Sequence, residues 1–72
     1  MRVRISYEQA RKIIRAEHGL QFFKEVWAEL QATAENRGQI LLETGAKLYK
    51  TGRQYWIYGY AWDGSDVKPY IN

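Results

Sequence analysis

The stretch KTGRQYWIYGYAW, Lys50 to Trp62, decides the fold, because it contains a turn followed by five aromatic rings at strand spacing. Those rings, Tyr55, Trp56, Tyr58, Tyr60 and Trp62, come from only eleven Phe, Trp and Tyr in the chain. Side chains alternate faces along a strand. A strand running through Trp62 therefore puts Trp56, Tyr58, Tyr60 and Trp62 on one face, with Tyr55, Ile57, Gly59 and Ala61 on the other. The preceding turn determines which face meets the rest of the protein. A two-residue loop at Thr51-Gly52 pairs Lys50 with Arg53 and Leu48 with Tyr55, so Ile40, Leu42, Ala46 and Leu48 share a side with Ile57, Gly59 and Ala61. The four-ring stripe then lies open beside Glu43, Lys47, Tyr49 and Gln54. A three-residue loop, Lys50 to Gly52, moves the register by one and puts Ile40, Leu42 and Leu48 with the rings, which become core. This second register separates apolar from polar residues better and is the expected one; the first is kept as the alternative, with the rings as an exposed platform.

Working outward, QILLE (39–43), AKLYK (46–50) and QYWIYGYAW (54–62) read as strands, separated by Thr44-Gly45 and by the Lys50–Arg53 turn and closed by Asp63-Gly64. VKPYI (67–71) reads as a last strand, confined to an edge because Pro69 has no N–H to donate. RVRI (2–5) alternates charge with β-branched residues, the pattern of a short edge strand. Ser6 follows as an N-cap, with Gln9 at capping-box spacing. Helical spacing then links Tyr7, Ala10, Ile13 and Ile14, and again Phe23, Val26, Trp27, Leu30 and Ala34. At about 100° per residue these two stripes point roughly opposite ways on one continuous helix, so a straight helix could not bury both. The spacing predicts two helices, about 7–18 and 20–35, with a change of direction at His18-Gly19 and an end near Asn36 and Gly38. The fold class is α+β: a short strand, two helices, then an antiparallel meander of two to four strands, all in one domain, 1–72.

The chain has 72 residues, and a domain of this size buries only about 60% of its unfolded surface, so a partner or a second copy in a homodimer is a live expectation. It has no cysteine, which excludes a disulfide framework and a thiolate metal site and fits a reducing cytoplasm. The basic opening MRVRIS is not followed by an apolar segment, and no run is long enough to span a bilayer. Eleven Lys and Arg against eight Asp and Glu give a net charge of +3, which makes a polyanion a reasonable partner. The charge is segregated: residues 1–18 and 37–62 are each net +3, while residues 19–36 and the tail from Asp63 are acidic.

Catalytic constellations are missing from the sequence pattern. With His18 the sole histidine, placed in the last turn of the first helix where a cation suits the helix dipole, neither a metal site nor a cofactor is expected. Ser6 and Ser65 have no base nearby in sequence, and ETGAKLYKTG lacks the spacing of a phosphate-binding loop. An enzyme is the less favoured reading. A sheet bearing Trp56, Tyr58, Tyr60 and Trp62 beside Lys47, Tyr49, Lys50 and Arg53 suits single-stranded nucleic acid, with rings stacking on bases and cations following phosphates. Arg11 and Arg15 of the first helix join this set if they lie on the same side; otherwise they form an ordinary solvated face. The expected function is therefore binding of nucleic acid through an aromatic and basic sheet surface. The competing class is a small adaptor or inhibitor that docks on another protein through the same rings.

The element order of strand, helix, helix and meander, with its basic RVRIS opening, resembles the small ribosome-dependent RNA-cleaving toxins of the RelE and ParE type. That resemblance implies a basic RNA-facing surface. It assigns no site residue here, and the chain is shorter than is usual in that family.

Overall fold

Ser6 starts the helical layer as its sequence signature requires. Its hydroxyl accepts from the Gln9 backbone N–H (3.1 Å), and its own N–H donates to the Gln9 side chain (3.0 Å), closing a capping box. The computed structural model describes residues 1–70, in the order β1 (Arg2–Ile5), α1 (Tyr7–Asn36), β2 (Ile40–Leu41), β3 (Lys47–Thr51), β4 (Gln54–Tyr58), β5 (Tyr60–Asp63) and β6 (Asp66–Pro69). Residue 71 of the expected last strand lies outside the described residues.

The expected pair of helices, about 7–18 and 20–35, is corrected to a single helical element. No turn segment separates the halves, and within α1 only Gly19 (φ 78, ψ 167) leaves helical dihedrals. The change of direction at that residue is nonetheless large. Twenty residues of straight helix span about 30 Å, yet the Tyr7 and Trp27 ring centroids are 5.3 Å apart. Thirty straight residues would likewise reach about 45 Å, whereas the molecule's longest axis is 29 Å. Folding back at Gly19 brings both stripes to the sheet, and Ala10, Ile13, Ile14, Val26 and Leu30 are buried there. At the far end Arg37 takes the left-handed conformation (φ 56) and its N–H donates to Thr33 O at 2.9 Å.

Among the described residues five strands follow α1 where two to four were expected, and with β1 they form two sheets rather than one meander. One has four strands in the order β1-β4-β3-β2, antiparallel throughout; the other is the β5–β6 ribbon. The long strand expected over 54–62 is interrupted at Gly59 (φ 94), after which the chain enters the ribbon. Alternation restarts there. Tyr60 is buried in the core while Trp62 is half exposed, so the four-ring stripe does not exist as a unit.

The turn before β4 takes neither expected form. Thr51 pairs with Gln54, Lys50 with Tyr55 and Leu48 with Ile57, so the loop is Gly52-Arg53. Tight hairpin turns require positive φ at their first loop residue. β-branched Thr51 is strained there, and Gly52 (φ 59) is not. Sliding the loop by one residue moves both partners together and leaves the faces unchanged. The three-residue register, with its rings in the core, is therefore overturned. Leu48, Ile57, Ile40, Leu42 and Ala46 face the helix and are buried with Ile5 and Tyr55.

Candidate nucleic-acid interface

Because α1 covers one face of the four-stranded sheet, the other face carries every side chain whose register points away from the helix. From β1 come Arg2 and Arg4, opposite Tyr58 and Trp56; from β3 come Lys47, Tyr49 and Thr51; from β2 comes Leu41. The positions alternating with this set are aliphatic apart from Tyr55 and Lys50 at the hairpin end, so the face is the solvent side of a half-buried sheet. It is not polar in the usual way. Trp56, Tyr58 and Tyr49 are half-buried, Leu41 is 66% exposed, and Arg2, Arg4 and Lys47 are exposed. None of these positions holds a carboxylate.

Contacts across the face order the rings. The Arg2 guanidinium stands 4.2 Å from the Trp56 ring centroid and donates to the Tyr49 hydroxyl at 2.6 Å. That hydrogen bond raises the Arg2 pKa further above its ordinary value, so it is a cation at any working pH. Tyr49 and Tyr58 stack, with centroids 6.0 Å apart and planes at 23°. Trp56 Nε1 donates to Thr51 Oγ1 at 2.8 Å, which fixes the indole's edge while the Arg2 guanidinium lies over its ring. Among the described residues, Arg2, Arg4 and Lys47 form no ion pair; the salt bridges involve Lys12, His18 and Lys68.

The residues expected from sequence are divided by this geometry. Lys47, Tyr49, Trp56 and Tyr58 come together on the open face. Lys50 points to the opposite face, where its Nζ donates to Gln31 Oε1 at 2.6 Å, and Arg53 sits in the exposed hairpin turn. Tyr60 is buried, its hydroxyl donating to Glu17 Oε2 at 2.8 Å; burial first, and that hydrogen bond second, push its phenol well above the ordinary range. Trp62 belongs to the ribbon. Arg11 and Arg15 lie on the helical side, Arg11 over the Tyr7, Phe23 and Trp27 rings and Arg15 over Phe23. Sequence reasoning left Arg2 and Arg4 out of the site. The signal that could have included them was their alternation in RVRI, which puts both on one face of whichever strand pairs beside the rings.

No family model, curated protein or solved structure matches the chain. Among the described residues no cluster of His, Asp and Glu could hold a metal ion, and no helix is long and apolar enough to cross a membrane.

Proposed function

We propose that the open face of the four-stranded sheet binds single-stranded nucleic acid. One observation carries this: three rings share a sheet face with three cations that form no ion pair among the described residues, and none of these positions is a carboxylate. An ordinary solvent face mixes charge signs; Trp, Tyr and Arg serve protein interfaces as well, so it is the one-sided positive charge around the rings that favours a polyanion. Here the centre is Trp56 and Tyr58 with arginines paired alongside. Bases stack on aromatic rings and on guanidinium planes alike, so Arg2 over Trp56 extends the platform.

Binding of a labelled short oligonucleotide, followed by fluorescence anisotropy between about 50 and 200 mM salt, tests the reading. Three phosphate contacts to Arg2, Arg4 and Lys47 give a slope of about −2 in log K against log salt for a single strand, and changing any one to Gln removes about 0.7 of it. Trp56→Ala and Tyr58→Ala should each weaken binding by about 1–3 kcal/mol. Absence of binding at low salt refutes the proposal. Binding to a protein partner that is insensitive to salt would instead support the adaptor reading, and cleavage of ribosome-bound RNA would support the toxin-like one.

A further inference from the structure

On the helical side of the sheet, where the start of α1 meets the β3–β4 hairpin, a cleft of about 320 Å³ is lined by Tyr7, Trp27, Gln31, Lys50, Arg53 and Tyr55. Rings form its wall. Trp27 stacks on Tyr55 with centroids 5.6 Å apart, and Tyr7 stands edge-on to both at 5.3 and 6.2 Å. Tyr7 is half exposed and is the ring an incoming group meets first. Lys50 and Arg53 supply positive charge at the rim, and the Arg11 guanidinium, 5.5 Å from the Tyr7 and Trp27 ring centroids, adds more behind the wall. Among the described residues no carboxylate lines the cleft.

Its polar groups are held in place. Lys50 Nζ donates to Gln31 Oε1 at 2.6 Å, and Gln31 Nε2 donates to the Tyr55 hydroxyl at 3.1 Å. This chain fixes the orientation of the Gln31 amide while leaving it one further N–H and lone-pair capacity, and it leaves Lys50 two of its three protons. A carboxamide with both donor and acceptor capacity matches the edge of a nucleobase, and a lysine and an arginine at one rim match a phosphate. The volume lies at the small end of ligand sites and suits a single unit, not a polymer segment.

We infer that this cleft binds one nucleotide, with its base against the Tyr7, Trp27 and Tyr55 wall beside Gln31 and its phosphate on Lys50 and Arg53. The site lies on the opposite face from the candidate interface, so the inference stands whether or not the sheet binds a strand. Titrating the protein with a nucleoside 5′-monophosphate, and following the indole N–H signals of Trp27 and Trp56 by NMR, tests it. The Trp27 indole and the Gln31 amide should shift saturably while Trp56 does not. The matching nucleoside and inorganic phosphate should each bind at least about tenfold more weakly, a typical consequence of losing one charge-assisted contact. Arg53→Gln, in an exposed turn, should weaken the nucleotide about tenfold with the fold intact, and Lys50→Gln similarly. No saturable shift at Trp27, equal affinity for nucleoside and nucleotide, or a shift confined to Trp56 would each overturn it; the last would place the ligand on the sheet face.

Discussion

Gly19→Ala tests the fold at the residue where α1 folds back. At φ 78 and ψ 167 this position lies in a region open essentially to glycine alone, and forcing another residue into it costs about 1–3 kcal/mol. An added Cβ meets nothing within 4 Å, so there is no packing term. Alanine also restricts the unfolded chain, which returns about 0.4–1 kcal/mol. The net expectation is destabilisation of about 1–2 kcal/mol, read as a lower urea midpoint at unchanged m-value. A chain of 72 residues has total stability of about 4–11 kcal/mol, so the loss is measurable and not fatal. Straightening offers the only relief, and a straight α1 abandons the Tyr7–Trp27 contact within one chain. Any fraction that straightens would recover that contact between two chains, as a swapped dimer visible by sedimentation. A monomeric variant as stable as the parent, or more stable, would refute the reasoning about this bend.

Glu17→Ala removes the acceptor shared by the Thr44 N–H (2.9 Å), the Thr44 hydroxyl (2.7 Å) and the Tyr60 hydroxyl (2.8 Å), and should cost about 2 kcal/mol or more in denaturant unfolding because Tyr60 is left buried and unpartnered. Tyr60 also governs the alkaline limb. Its folded pKa is raised above the ordinary 10.0, so the stability it contributes is complete below that pH and is lost as pH rises past it; the Tyr60 phenol should ionise only as the protein unfolds, read by ultraviolet titration against a Tyr60→Phe variant. On β4, Ile57→Ala should cost about 2–5 kcal/mol of stability, while Trp56→Ala on the open face should cost clearly less; equal losses would mean that the rings are core after all.

Much of the layer plan was legible because local chemistry dictated it. Ser6 and Gln9 announced the start of α1, and the opposed stripes around Gly19 announced its bend. What the stripes could not show was that one residue suffices for the reversal, so two helices were expected where one bent element stands. The register of the hairpin was misjudged for a different reason. Sorting apolar from polar residues treated 54–62 as a single strand, yet Gly59 divides it, so Tyr60 can enter the core while Trp56 stays outside. Arg2 and Arg4 were seen only as solvent-facing edge residues because pairing between β1 and β4 is a long-range fact that no local window contains.

That pairing sets when the candidate interface comes into being. Arg2 lies opposite Tyr58 and Arg4 opposite Trp56, so cations made among the first residues wait for rings made some fifty positions later. Such distant closure is slow compared with helix formation, and until it happens the arginines and the rings are separate features of an incomplete chain. A ligand that touches both sides would act as a clasp on β1, an edge strand whose only neighbour in its sheet is β4. At a hundred times its dissociation constant it would add about 2.7 kcal/mol to global stability. Slowed hydrogen exchange at the backbone amides of Val3 and Ile5 would report that clasp at the strand it closes.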